Sequence, residues 1–287
     1  MVDDVSIRLR QAMPGLRPAE RRIADAVLAD PAQVAELSIT ELAALCETSA
    51  ASVARLTRAL GFTGYKAFRI ALARDGAGEA RRRLSFGSDT GDIEPNDDAA
   101  TVVRKLAYHE ARAIEETAAG LDLDQLQQVV HAIAAAPSID LYGAASSGLA
   151  GLDLQQKLRR IGLQANAWTD AHLALTSAAV LRSKAVAMVF SHSGTTSESV
   201  AVLRTAQRSG AFTVAVTNYP KSSIARYADA VLTTVSRETR FRSGAMASRM
   251  AQLTIVDILF LQVAQRDPER VTQSLHDTFE AVQRHAH

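Results

Sequence analysis

A single cysteine, Cys46, in 287 residues leaves no partner for an intrachain disulfide and cannot alone build a thiolate metal site, a usage that fits a reducing compartment. The formal net charge is only +1, so no global cationic field exists and any affinity for nucleic acid must come from a local cluster. No run approaches the roughly 18–20 apolar residues that a membrane span needs. The opening MVDDVSIRLRQAM lacks the basic segment and apolar core of a secretory signal. The expectation is a cytoplasmic protein with no membrane partner. Several signatures of chemistry are also missing. There is no GxxxxGK[ST] loop, GAASSG lacks the GxGxxG spacing, Ser193 does not sit in GxSxG, and the seven histidines show no HExxH pattern. Neither a catalytic residue, nor a metal ligand set, nor a cofactor is expected.

With 47% hydrophobic residues, a chain of this length can bury two cores. From Val5 to about Arg74 the apolar residues recur at helical spacing, as in Ile23, Val27 and Leu28 after Pro18. Between Asp75 and Asp98 the composition shifts to Gly, Arg, Ser and Asp with Pro95, which reads as a linker. Helical patterns follow over 99–119 and 123–134. After Pro137 short apolar runs alternate with amphipathic stretches: IDLY at 139–142, QANAW at 164–168, AVAMVF at 185–190, FTVAVT at 212–217 and AVLTT at 230–234. That alternation predicts parallel strands with crossover helices. The run 250–263 reads as a buried helix, and Val271, Leu275, Phe279 and Val282 mark an amphipathic helix at the end. The fold class is therefore α/β: a helical amino-terminal domain over residues 1–77, a linker over 78–98, and a doubly wound, five-stranded parallel domain over 99–287.

Two constellations carry chemistry. Ser38–Phe68 holds two short helical patterns joined by a polar turn at Glu47 and Thr48, with Ser49 placed to cap the second helix. On that helix Val53, Leu56 and Leu60 share one side, while Ala51, Ala54, Arg55 and Arg58 share the other. Small residues permit close approach to a DNA groove, and guanidinium groups reach bases or phosphates. From Thr48 to Arg74 there are five basic residues, Arg55, Arg58, Lys66, Arg69 and Arg74, and no acidic one. The candidate DNA-binding residues are Ser49, Ala51, Ser52, Arg55, Arg58 and Lys66. By spacing alone, an ordinary helical hairpin with a solvated basic face fits equally well.

The second constellation is FSHSGTTSES, Phe190–Ser199, lying between a predicted strand and a predicted helix. There the unpaired N–H groups and the dipole of the next helix favour an anion, hydroxyls add donors, and Gly194 allows close approach. A second loop, GAASSG over 143–148, follows the IDLY strand. One such loop alone would read as capping and solubility; two after neighbouring strands point to an anion site. The candidates are Ser146, Ser147, Ser191, His192, Ser193, Gly194, Thr195 and Thr196. His172 is a further candidate near the crevice, and Glu238 a possible acid or base by position.

Both constellations resemble a known family. PAERRIADAVL, ELAALC, Ser49, Val53, Arg55 and LGFTGY are similar to the amino-terminal domain of RpiR-type (RpiR/MurR) transcriptional regulators. From about Leu123 to Phe260 the chain resembles the sugar isomerase (SIS) domain, with SHSGTT matching its phosphate loop, WTDAHLA, AVTNYPKSSIARYAD and SRETRFRSGAMASR being further likenesses. Many relatives place a glycine and an apolar residue in the Cys46–Thr48 turn, and the family usually has a glycine at Ala145. The resemblance implies phosphate contacts by Ser191, Ser193, Thr196 and Ser147, a double-stranded DNA operator, a phosphorylated sugar effector, and a homodimer or homotetramer. The alternative it leaves open is a phosphosugar isomerase using the same loops, which would need a base to move a proton α to a carbonyl.

Overall fold

A computed structural model describes residues 5–86, 91–236 and 245–283. The chain divides into two compact units, Met1–Arg112 and Ala113–His287. The first is helical: α1 (Val5–Ala12), a 3-10 turn (Met13–Gly15), α2 (Pro18–Ala29), α3 (Pro31–Glu36), α4 (Ile39–Leu45), α5 (Ala50–Ala59) and α6 (Tyr65–Phe86). Helix α7 (Ala99–Ala119) spans the division. Ile23, Val27, Leu42, Val53, Leu56, Phe68 and Leu72 form one buried cluster, each worth roughly 1.5–3 kcal/mol of transfer free energy.

Helix α6 runs to Phe86, through residues 78–86 that composition assigns to a linker. Ala, Arg, Glu and Leu are good helix formers and no proline intervenes before Pro95, so low apolar content alone does not end the helix. Further along, the Lys105 ammonium lies 2.9 Å from Asp97 and also donates to the Asp92 carbonyl, drawing the segment before α7 against that helix.

The second unit contains α8 (Leu123–Ala135), β1 (Ile139–Gly143), α9 (Ser146–Arg160), β2 (Ala165–Trp168), α10 (Ala171–Val180), β3 (Val186–Phe190), α11 (Ser197–Arg208), β4 (Phe212–Thr217), a 3-10 turn (Ile224–Tyr227), β5 (Ala230–Thr233), α12 (Met246–Ala264) and α13 (Pro268–Gln283). All five expected strands form, in one parallel sheet of order β2-β1-β3-β4-β5. Strands β1 and β3 are buried throughout, which is why their sequences read as continuous apolar runs. One core, with Leu141, Leu154, Phe190, Ile255 and Leu259, lies on one face of the sheet. The other, with Tyr142, Ala174, Val189 and Leu203, lies on the opposite face. Asp140 would be costly inside β1, but its carboxylate accepts from the Trp168 Nε1–H at 3.0 Å and from the Ser177 hydroxyl.

Among the described residues, α12 is the one helix long and apolar enough to cross a membrane by length and composition, and 44% of that window is buried. Its Ile255, Val256, Leu259 and Val263 belong to the core, matching the buried helix expected over 250–263.

Helix endings carry one anomaly. The N–H of Glu47 donates to the Ala44 carbonyl and that of Thr48 to Ala43, and Gly61 and Phe62 repeat the pattern on Arg58 and Thr57. Both are Schellman closures, which need a left-handed residue. Gly61 fills that position at φ +86°, whereas Glu47 holds it at φ +49°. Glu47→Gly is therefore expected to stabilise the amino-terminal unit by up to about 1 kcal/mol. Hydrogen-exchange protection of the Cys46–Ser52 amides is the readout; lower protection would contradict the strain assignment.

Candidate DNA-binding and anion-binding sites

The helix-turn-helix is built from caps. Ser38 and Glu41 form a capping box on α4, with the Ser38 N–H donating to Glu41 at 2.7 Å. The Ser38 hydroxyl and N–H hold the Glu41 carboxyl below its ordinary range. This contribution is thus present at neutral pH and lost as pH falls through the lowered value. At the turn, Arg22 of α2 donates to the Cys46 and Glu47 carbonyls at 2.9 and 2.7 Å. Burial pushes the Cys46 thiol up, against the opposing pull of Arg22, so the thiol stays protonated. Ser49 caps α5, accepting from the Ser52 N–H at 3.2 Å.

On α5, Val53, Leu56 and Leu60 are buried, while Ala51, Arg55 and Arg58 are exposed and Ala54 is half-buried. Lys66, Arg69 and Arg74 are exposed on α6. Ser52 departs from the expected open face: it is only 5% exposed. Its hydroxyl shares a 3.1 Å hydrogen bond with Ser49 and accepts from the Arg55 Nη2–H at 3.0 Å. Ser52 lies one residue before Val53 on the inward edge of the helix, so it braces Arg55 from below. Glu20 of α2 adds a second brace, 3.8 Å from Arg55 Nε.

In the second unit, strand order makes the cleft. Strand β1 is followed by α9 on one face of the sheet, and its neighbour β3 by α11 on the other. The crevice between two such departures is where α/β sheets receive ligands. About 440 Å³ of empty space, including its open mouth, lies there, lined by Ala144, Ser147, Phe190, Ser191, His192, Ser193, Thr196 and Ser199.

Helices α3, α4, α5, α8 and α10 each begin with a side chain accepting from a first-turn N–H: Asp30, Ser38, Ser49, Asp122 and Asp170. Helices α9 and α11, which begin at the cleft, have no such cap. The Ser147 and Gly148 N–H groups of α9 donate to the Ala144 and Ala145 carbonyls and the Glu198 N–H of α11 to its own carboxylate, while the dipoles of both starts still favour an anion. The loop itself is locked. The Gly194 N–H donates to the Ser191 carbonyl and hydroxyl, Ser193 Oγ accepts from the Thr195 N–H, and the Ser191 N–H donates to Val216 of β4. Thr217 donates to the His192 carbonyl, and the His192 ring stands edge-on to Tyr219. The Ser199 hydroxyl is buried without a partner beside the cleft. One carboxylate stands at the same helix start. The Glu198 N–H and the Ser197 hydroxyl hold the Glu198 carboxyl below its ordinary range.

Of the eight predicted anion-site residues, Ser147, Ser191, His192, Ser193 and Thr196 meet at this cleft. Ser146, Gly194 and Thr195 do not line it; Gly194 instead sets the loop's bend at φ +63°, and Thr195 is exposed. His172 is exposed on α10 and does not line the cleft, and Glu238 lies outside the described residues. Reading the sequence alone misses Ser199, on the first turn of α11, and Gln252 of α12, which donates to Ser147 Oγ at 3.1 Å. Ser199 was legible as part of the loop's helical end; Gln252 is 105 residues from its partner and carries no local signal. Among the described residues, no group of three His, Cys, Asp or Glu side chains could hold a metal ion.

These two sites define a class: a helix-turn-helix regulator joined to a sugar-isomerase-type domain. Comparison with known proteins gives the family. The helix-turn-helix domain of the rpiR family matches residues 4–79, and the SIS domain matches residues 132–262. An uncharacterized HTH-type transcriptional regulator of Caldanaerobacter subterraneus is 39% identical over 279 residues, 97% of each chain. Another, from Haemophilus influenzae, is 32% identical over 93% of this chain and 92% of its own. The Vibrio vulnificus NanR protein, solved in complex with ManNAc-6P, matches with a TM-score of 0.60 and 28% identity over 97% of this chain and 98% of that one. The chain belongs to the RpiR family of HTH-type transcriptional regulators.

Gly143 closes the first loop by contact. A Cβ there would fall 2.5 Å from the backbone carbon and oxygen of Ser147. Backbone cannot give way as a flexible side chain does, so Gly143→Ala is expected to cost about 1–3 kcal/mol or more. Thermal unfolding followed by the fluorescence of Trp168, the one tryptophan, checks this, and an unchanged midpoint would show that the loop is loose.

Proposed function

We propose that this regulator binds a double-stranded DNA operator through the exposed face of α5, and that a phosphorylated sugar bound at the β1–β3 cleft controls its affinity. The observation that carries the effector reading is the pair of helix starts, α9 and α11, left without side-chain caps among serine and threonine hydroxyls. The helix dipoles favour a phosphate's charge, and the surrounding hydroxyls can donate to its oxygens. The relative from Vibrio vulnificus, solved with a phosphorylated amino sugar, supports the same ligand class. In this reading Ser147, Ser191, Ser193 and Thr196 contact the phosphate, with His192 beside it. Arg55 and Arg58 reach bases or phosphates of DNA, Ala51 allows close approach, and Ser49 and Lys66 contact the backbone.

The cleft senses and does not catalyse. His192 is the one titratable side chain among its described lining residues, and it packs against Tyr219. The protein is cytoplasmic, where DNA and sugar phosphates are found, and at least dimeric, because a two-half-site operator is matched by a two-fold protein.

A thermal-shift screen of phosphorylated sugars, followed by DNA titrations with each hit, tests the whole reading. Isomerase turnover without a ligand-dependent change in DNA affinity would overturn it. Arg55→Ala and Arg58→Ala are each expected to weaken operator binding, by about 1–3 kcal/mol where a bidentate base contact is lost. A lost phosphate contact would instead lower the salt slope. Ser193→Ala is expected to lower sugar-phosphate affinity about tenfold or more, since a hydrogen bond to a charged group is worth roughly 1.5–3 kcal/mol. Operator binding without ligand should survive that change; loss of both activities would indicate misfolding.

A further inference from the structure

The Ser147 hydroxyl carries one proton and two lone pairs, and its value to an anion depends on where that proton points. An oxyanion only accepts, so a serine serves it only as a donor. Any acceptor placed behind Ser147 would take the proton and turn lone pairs toward the ligand. The group behind Ser147 is Gln252, one of the few polar residues on the buried face of α12 and only 2% exposed. Its Nε2–H donates to Ser147 Oγ at 3.1 Å.

We infer that Gln252 is a positioning residue for the anion site: by donating to Ser147, its amide fills one lone pair of the hydroxyl and leaves the Ser147 proton free for the ligand's phosphate. The inference rests on the cleft being the phosphate site and adds the polarity of one of its hydroxyls. A glutamine suits the task because its amide presents a donor at neutral charge. A lysine would have to bury a cation, and a methionine or leucine would leave the hydroxyl to choose its own partner. The arrangement ties α12 to the start of α9, so a residue within an apolar helix sets the chemistry of a loop far away in sequence. It also accounts for a buried amide on a helix face that, Ser248 apart, is made of Ala247, Ala251, Ile255, Val256, Leu259 and Val263.

The test uses the full chain with inorganic phosphate and a panel of hexose 6-phosphates as probes, read by calorimetric titration. Q252M keeps the volume and removes the donor; Q252E keeps shape and polarity of surface but offers an acceptor. Phosphate affinity should fall several-fold to about tenfold in Q252M. It should fall at least as far in Q252E, although a packing role would be met by that near-isosteric side chain. In a double-mutant cycle, Q252M introduced into S147A should cost nothing further, because its effect runs through that hydroxyl. Unfolding midpoints without ligand identify any variant that fails to fold, in which case the Q252M cycle carries the test. If the parent chain binds the probes and Q252M binds them equally, or loses as much affinity in the S147A background as in the parent, the inference is wrong. If the parent chain binds neither phosphate nor any sugar phosphate, the cleft assignment itself fails and this inference with it.

Discussion

Two adjacent strands that send their helices to opposite faces of one sheet impose the constraint on which the sensing half depends. Because β1 leads into α9 and β3 into α11, the loops after both strands open into a crevice that neither helix covers. Close passage at Gly143 and the left-handed bend at Gly194 bring the chain out of each strand sharply enough for its hydroxyls to face the gap. The helix starts then turn their positive dipole ends toward the gap without an N-cap side chain. The starts of α3, α4, α5, α8 and α10 are closed by serine or aspartate, whereas those of α2 and α12, like α9 and α11, have no side-chain cap. The anion site proposed here rests on topology and on the hydroxyls at two helix starts, with no lysine or arginine among the described lining residues.

Much of this was legible in the sequence, and the parts that were not have physical reasons. Continuous apolar runs announced β1 and β3 because a parallel strand covered on both faces has no polar side, whereas the edge strand β2, with its Asn166, is half-buried and gave a weaker signal. Ser49 announced α5 because a cap is a local event spanning three residues; the capping box at Ser38 went unread. Ser52 was misjudged because it lies at the border of the exposed face, where a helical wheel cannot separate a half-turn inward from one outward. The extent of α6 was missed because composition does not end a helix while helix-forming residues continue. Gln252 reaches Ser147 only through tertiary packing, and no spacing rule reports it.

Glu47, in the turn where the resemblance implies a glycine, and Ala145, where it implies another, both adopt a backbone that glycine would. Glu47 takes φ +49° in the helix-turn-helix, and Ala145 takes φ +50° with ψ −126° at the start of α9. Such conformations cost of order 1–3 kcal/mol each and persist only where surroundings fix them. At Glu47 the fixing groups are the two Schellman bonds and the Arg22 guanidinium. At Ala145 the Gly148 N–H donates to its carbonyl as α9 begins. The family's turn geometry is thus kept by contacts where its usual residue is missing.

The central claim is that the cleft and the DNA-binding face are thermodynamically coupled. Linkage makes the claim reciprocal: whatever factor a sugar phosphate imposes on operator affinity, the operator must impose on sugar-phosphate affinity, typically 5–150-fold. The direct measurement is a pair of titrations on the full chain, sugar phosphate into free protein and into the protein–operator complex. The account predicts two different dissociation constants whose ratio equals the shift in operator affinity measured with and without ligand. Equal constants in the two titrations would contradict it.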